Sequence, residues 1–461
     1  MELFDIDLLA CLYFYMKGMK LFMKMNINSE QLGKVEECIR YYPPNIETVE
    51  SSDTLSFFQN PRNVAIYIHI PFCRTPCGFC PFNQYLYNKE KIDSYLNSLK
   101  KECSLIKKQL LSQEINVETV WIGGGTPMDL DESDLEYLLK TVNESFDLRN
   151  IKEFTIELKP LQSHITDAKL NILKKYNVNR ISMGMQSTDN NLLKKLHRGH
   201  TAEEAYSIIA LLLENKFEIN VDMIYNLPEQ TPEQILRDVD NISPLGIDHI
   251  SWFPYVLHRG TPFAENVIKN GGKDFKDKER YFEMFCEIKD RMEKAGYSQY
   301  TPYYYTKSNQ CNYHINRWKF PQIETIGIGA GAFSYFEGRI YANAHNTEHY
   351  QALLTHNKLP IVKGKKLNYF EEVSRLAVLG TKFFAIDLDD FKALTGFDLT
   401  ALYRKEIEEM LELGLIELDN KKLTCTLLGK AFNNDLSNYF VLEHLRQVAQ
   451  PQATTIMEEG L

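Results

Sequence analysis

The chain has 461 residues, 44% hydrophobic and 25% charged, which is ordinary for globular proteins and excludes disordered and collagen-like classes. Its 52 Lys and Arg against 62 Asp and Glu give a formal charge of −10, which argues against a nucleic-acid binder driven by bulk charge. Nine cysteines, of which only three cluster, fit a reducing compartment with a metal site better than a disulfide framework.

In chain order, Leu8–Met16 is strongly apolar but too short to span a bilayer, and Asp5 and Asp7 before it are wrong for a signal peptide. The expectation is a helix packed on the rest of the protein, with membrane-surface docking as the alternative. No membrane span and a cytoplasmic protein are expected. After residue 60, β-branched runs predict strands at Val64–Ile70, Thr119–Ile122, Glu153–Leu158, Arg180–Met183, Glu218–Ile224 and His249–Phe253. Helical patterns fill the intervals at Lys89–Gln113, up to about Phe146, and at Asp167–Tyr176, Asn190–Leu196, Ala202–Asn215 and Pro232–Ile242. The helix ending near Phe146 is expected to open with a capping box of Ser133 and Glu136. Six strands alternating with helices imply an α/β fold with a parallel sheet and right-handed crossovers, best read as a partial (β/α)6 barrel. In the tail, Leu388–Leu394 and Leu399–Leu413 look helical, and Leu415–Leu418 and Leu423–Leu427 flank Asp419–Lys422 as a hairpin. That pattern resembles a winged helix, although the acidic run Lys405–Glu412 favours a small α+β cap without nucleic-acid function. The expected divisions are a helical extension at 1–60, a barrel at 61–345 and an α+β domain at 346–461.

Directly after the first strand stands Cys73-Arg-Thr-Pro-Cys77-Gly-Phe-Cys80. Three thiolates on one loop can bind three irons of a cubane cluster and leave the fourth open, as a reactive site requires. Structural zinc is the alternative, and it would have to recruit a fourth ligand such as His69.

C-x3-C-x2-C in this position resembles the signature of the radical S-adenosylmethionine (SAM) superfamily. Tyr67-Ile-His69-Ile-Pro71-Phe-Cys73 narrows the resemblance to the oxygen-independent coproporphyrinogen III oxidase-like (HemN-like) family, in ordered motifs from about residue 61 to 345 and more weakly through the tail. The resemblance implies a [4Fe-4S] cluster on Cys73, Cys77 and Cys80 that chelates SAM and cleaves it to methionine and a 5′-deoxyadenosyl radical. It further implies an electron donor such as flavodoxin or ferredoxin.

The other motifs fall at strand ends, where barrel ligands bind. Trp121-Ile-Gly123-Gly124-Gly125-Thr126-Pro127 lets backbone approach a ligand closely; by resemblance Gly124 holds the cluster-bound SAM, and Gly125 and Thr126 touch a second SAM. Glu157 can accept two ribose hydroxyls, or stand in a surface salt bridge. Arg180-Ile-Ser-Met-Gly184-Met-Gln186-Ser puts Gln186 on a second-SAM position, and Arg198 in Leu196-His-Arg-Gly-His200 matches a carboxylate-binding arginine. For His197 and His200, surface or capping roles stand even with ligand contact. Asp222 lies in Asp222-Met-Ile-Tyr-Asn226-Leu-Pro228, where Asn226 replaces the family's glycine at a turn that Asn tolerates. Tyr67, Phe79, Val256 and Ala332 complete the implied cofactor site, with the Gly327–Phe333 run closing it.

Phe82 stands where coproporphyrinogen oxidases carry a fourth cysteine, as in the haem chaperones and the class C methyltransferases. Tyr313-His-Ile-Asn-Arg-Trp318 departs from the chaperones' H-N-x-x-Y-W, and Arg40–Pro44 faintly resembles the oxidase N-terminus. The expected activity is therefore a class C radical SAM C-methyltransferase with two SAM molecules, acting on haem, another tetrapyrrole or an aromatic small molecule. The alternatives are coproporphyrinogen-type decarboxylation and a haem chaperone in which His314, His258 or Cys311 ligates the iron.

Overall fold

The computed structural model describes residues 47–48, 62–110, 115–270, 277–308, 311–318 and 323–442, so that Leu8–Met16 and Arg40–Pro44 lie outside the described residues. Six strands, β1 Arg62–Ile70, β2 Ile115–Gly124, β3 Glu153–Leu158, β4 Arg180–Gln186, β5 Glu218–Tyr225 and β6 His249–Pro254, lie side by side in chain order. Every neighbouring pair among them is parallel. The free edge of β1 carries Ile323–Ile328 in parallel, and the free edge of β6 carries Tyr304–Thr306 antiparallel. β1 and β6 are not paired with each other, so the barrel is open on one side.

Successive side chains in a strand point to opposite faces. Val64, Ile66, Ile68, Phe154, Ile156, Ile181, Met183, Ile219, Val221 and Ile250 enter the core shared with the helices. The alternate positions, Ala65, Tyr67, His69, Trp121, Glu157, Ser182 and Asp222, form the other face. Helices cover the outer face at Lys89–Leu110, Glu132–Ser145, Asp167–Lys175, Ala202–Glu214 and Pro232–Ile242. Capping boxes start the last two, on Thr201 with Glu204 and Thr231 with Gln234. The box expected at Ser133 and Glu136 does not form. Asp131 is the N-cap there without a side-chain cap bond, because its carboxylate accepts from Arg74 and Tyr87 instead.

The tail departs from expectation in detail. The helix expected over Leu399–Leu413 breaks at Tyr403 into Leu399–Leu402 and Arg404–Glu412. The second hairpin strand stops at Cys425 because Thr426 caps a new helix, Leu427–Ala431. A third strand, Ala385–Asp387, pairs with the hairpin. A second apolar core ties Phe282 and Phe285 of helix Lys278–Lys294 to Val378, Phe391, Ile407, Leu415 and Leu436 of the tail. Among the described residues no helix is long and apolar enough to cross a membrane.

Candidate active site at the carboxyl ends of the strands

The cysteine loop leaves β1 at the carboxyl end of the sheet and is tied down on several sides. Arg74 donates its backbone N–H to Asp129 Oδ2 at 2.5 Å, its Nε to Asp129 O at 3.1 Å and its Nη2 to Asp131 at 2.7 Å. Asp129 is itself held by buried His164 at 2.6 Å. Lys159 Nζ donates to Thr75 O at 3.0 Å and to Thr75 Oγ1 at 2.7 Å. Gly78 N–H bonds Leu196 O at 3.2 Å, and Phe263 N–H bonds Gly78 O at 2.9 Å. The loop is thus braced by the segments that follow β2, β3, β4 and β6.

Cys73, Cys77 and Cys80 are all free of disulfides. Burial pushes the Cys73 thiol up to about 12 and the Cys80 thiol up to about 11, so their thiolates need a cationic centre to form. Among the described residues no three Cys, His, Asp or Glu side chains converge on one ion. Mononuclear zinc requires such convergence, whereas a cubane gives each thiolate its own iron. Cys77 and Cys80 both act electrostatically on Cys73, so the three thiols stand close enough together to serve as three ligands of one cluster.

Beside the loop, β2 ends in three glycines. Gly124 has φ of +115°, and a side chain on it would meet the His69 ring at 2.7 Å. One on Gly123 would meet Glu157 Oε1 at 2.3 Å and displace that carboxyl, whereas the positive φ of Gly124 itself favours glycine. Glu157 accepts from Trp121 Nε1 at 2.7 Å and from Gly124 N–H at 3.2 Å. Burial, with Asp222 nearby, raises the Glu157 carboxyl to about 7 against these two bonds. Tyr67 OH lies 3.0 Å from His69 Nδ1, and burial holds His69 neutral, down at about 4. Thr126 Oγ1 lies 3.7 Å from Cys73 Sγ. Gln186, in the left-handed region at φ +78°, and Arg198 meet over Gly184, whose missing side chain would lie 2.8 Å from one and 3.3 Å from the other.

Arg198 donates Nη1 to Cys77 Sγ at 2.8 Å and Nη2 to Gly184 O. Asp222 lies deeper, its two oxygens taken by Ser182 at 3.2 Å and Asn220 at 2.8 Å, and burial raises its carboxyl. Phe79 packs with Leu196, Leu227, Tyr255 and Phe263 and anchors the cysteine loop from behind. Val256 is half-buried on the loop after β6, and Ala332 is buried in the Gly327–Phe333 turn. That turn packs on His69, since a side chain on Gly329 would lie 2.6 Å from His69 O. Phe82 is 48% exposed beside the loop. Asn226 takes φ of +59°, so the turn built by glycine in relatives survives, and its Oδ1 accepts from Arg280 at 3.0 Å.

Two expectations are corrected. Cys311 and His314 are not presented to a haem. Cys311 is fully buried with its Sγ donating to Glu153 at 3.2 Å, and His314 is buried with its ring stacked on Tyr304 at 4.0 Å. His200 is neither a surface nor a capping residue, because it is buried with Nε2 3.3 Å from Met185 O. His197 takes φ of +55° and lies against Gly78 of the cysteine loop. The sequence reading missed Lys159, Asp129 and His164, which brace the loop. The only signal for Lys159 was its place two residues after Glu157.

A model described as the radical SAM superfamily matches residues 67–242, and one described as the HemN C-terminal domain matches residues 371–432. The protein named heme chaperone HemW of Lactococcus lactis is 31% identical over 382 residues, covering 82% of this chain and 97% of that protein. The one of the same name from Bacillus subtilis is 28% identical over 381 residues, covering 82% and 99%. Among solved structures, the radical SAM enzyme coproporphyrinogen III oxidase (HemN) from Escherichia coli superposes with a TM-score of 0.73 at 22% identity, over 83% of this chain and 90% of that one. The family implies a [4Fe-4S] cluster and SAM, and the braced thiols and glycine cradle are compatible with both. The chain therefore belongs to the radical SAM superfamily, within the HemN-like family that includes the HemW proteins.

Proposed function

We propose that Cys73, Cys77 and Cys80 hold a [4Fe-4S] cluster, that Gly123–Thr126 and Glu157 seat SAM against it, and that the protein binds haem as a chaperone. The observation that carries the haem reading is the near-full-length match, barrel and tail together, to proteins named heme chaperones. Phe82 in place of the oxidases' fourth cysteine supports it. When bound, the cluster supplies the electron that cleaves SAM; this chain's residues bind and orient. Trp121 Nε1 and Gly124 N–H fix the Glu157 carboxyl, whose remaining lone pairs suit the ribose hydroxyls. The glycine cradle gives the methionine end close backbone contact, and the braced loop limits movement of the thiols. Tyr67, Phe79, Asp222, Val256 and Ala332 shape the surroundings of that site.

The test is an anaerobic haem titration of reconstituted protein, with and without SAM and a flavodoxin- or ferredoxin-type reductant. A chaperone binds haem and returns it unchanged by mass spectrometry. Consumption of haem with formation of 5′-deoxyadenosine overturns that reading. A second reading, radical C-methyl transfer with two SAM molecules, is favoured by one observation: Gln186 and Arg198 meet over Gly184 while Thr126 touches Cys73. Methyl-deuterated SAM decides it, because methyl transfer places label in both the product and 5′-deoxyadenosine. Loss of CO2 without label points instead to coproporphyrinogen-type decarboxylation.

A further inference from the structure

Lys159 follows the end of β3 by one residue and precedes Pro160, a setting that ordinarily leaves a lysine in water. Here it is only 3% exposed. Burying an ammonium is costly unless it is bonded and its charge compensated. The bonds are made to Thr75 O and Oγ1, both inside the Cys73–Cys77 loop. The compensation is incomplete, because among the described residues no carboxylate forms an ion pair with Lys159. The groups that act on its charge are Cys77, Cys73 and Asp129, and the opposing cation of Arg198.

Arg198 stands on the same loop with Nη1 on Cys77 Sγ, and its buried Nε has no partner. Two cations, Lys159 and Arg198, thus stand against the cysteine loop, with Asp129 as the carboxylate that acts on Lys159 without pairing with it. A cluster ligated by three thiolates brings negative charge to that place, and each electron it accepts adds one more. Fixed positive charge favours the reduced form, and hydrogen bonds to the sulfurs and local charge are what tune such potentials.

We propose that Lys159 is a positioning residue for the cluster: it locks Thr75 and, with Arg198, raises the cluster's reduction potential. This rests on the reading that Cys73, Cys77 and Cys80 bind a [4Fe-4S] cluster, which the iron content of the wild-type protein tests separately. The step is one-electron reduction of the cluster, the electron coming from the dithionite titrant.

The experiment compares midpoint potentials by redox titration followed by electron paramagnetic resonance, on full-length reconstituted protein. Lys159→Met keeps the apolar stem and removes the charge, Lys159→Gln keeps a donor for Thr75 without the charge, and Lys159→Arg keeps both. The neutral variants are expected to load iron as the wild type does and to titrate lower. At a fixed potential their reduced-to-oxidised ratio should fall about tenfold, equivalent to about 59 mV for one electron. Lys159→Arg should restore the wild-type value. Loss of iron loading in both neutral variants with rescue by Lys159→Arg also supports the charge requirement. Wild-type potential in a loaded neutral variant overturns the proposal, as does loss of loading in all three.

Discussion

The inward face of the barrel carries two polar clusters, and they differ in how they are closed. At the amino ends of the strands, Asn220 bonds His249 at 2.6 Å, His249 bonds Tyr300 at 2.6 Å, and Tyr300 OH accepts the Cys311 N–H at 3.3 Å. Glu153 completes the group by accepting from Cys311 Sγ and, at 2.8 Å, from the N–H of Asn312 at the start of helix Asn312–Trp318. At the carboxyl ends, Glu157 has only Trp121 and Gly124, Lys159 has one loop residue, and Arg198 has a thiol and a carbonyl. Trp121 is the wall between them, stacked on Tyr313 at 5.0 Å and bonded to Glu157. The amino-end groups bond largely to one another, although Nε and Nη2 of Arg180 beside them are buried without a partner among the described residues, and the carboxyl-end groups bond chiefly to backbone and to the cysteine loop.

The most severe break of this contrast is at the thiols. Replacing Cys73, Cys77 or Cys80 by Ala should reduce iron and sulfide from about four each per chain to traces, measured after anaerobic reconstitution. Cys103→Ala, Cys286→Ala and Cys425→Ala should leave both unchanged. Next comes the amino end: Glu153→Ala should cost on the order of 3 kcal/mol in urea unfolding, because it strands the donors of Cys311 and Asn312. Iron per folded chain should not change.

The equivalent change at the other end, Glu157→Ala, should weaken SAM binding at least tenfold by calorimetry, with a smaller loss of stability than Glu153→Ala because burial already disfavours the Glu157 carboxylate. The carboxylate form is the one that accepts ribose hydroxyls, so SAM affinity should fall about tenfold for each pH unit below about 7. The stability of the protein alone runs the other way. Glu102 and Glu157 are both raised to about 7 by burial from 4.5, so the folded chain holds protons that the unfolded chain releases. Their contribution is complete below about 4.5 and is lost as pH rises through about 7. The smallest effect is expected at Asn226. Asn226→Ala should cost about 1–2 kcal/mol through its left-handed backbone and the lost Arg280 bond, and Asn226→Gly less than half of that.

Much of the site was legible because its residues sit next to strand ends in the chain. The thiols, the glycine run and Glu157 are each local patterns, and their chemistry follows from residue type. Other parts were not legible. Ser133 and Glu136 had the spacing of a capping box, but the helix starts after Asp131, whose carboxylate is taken by Arg74 and Tyr87, distant in the chain, and makes no side-chain cap. Lys159 was missed because nothing local shows that the cysteine loop folds over it. Cys311 and His314 could be offered as haem ligands in the chaperone alternative because their burial depends on helix Asn312–Trp318 docking against β2 and β3.

By itself the sequence determined the strand and helix succession, since period-two and period-3.6 apolar patterns are local and strong over six repeats. It also carries the cysteine motif and glycine run whose resemblance to the radical SAM family implies the class of cofactor. The tertiary structure alone decided which polar residues face one another across the barrel. In-register parallel pairing sets Glu157 beside Ser182 and Asp222 beside Gly184 and Ser251. Long-range closure of the cysteine loop then decides that Lys159 is a buried cation and Arg198 a half-buried one. Those charges act over distances that no window of sequence spans, which is why their roles appear only once the chain is folded.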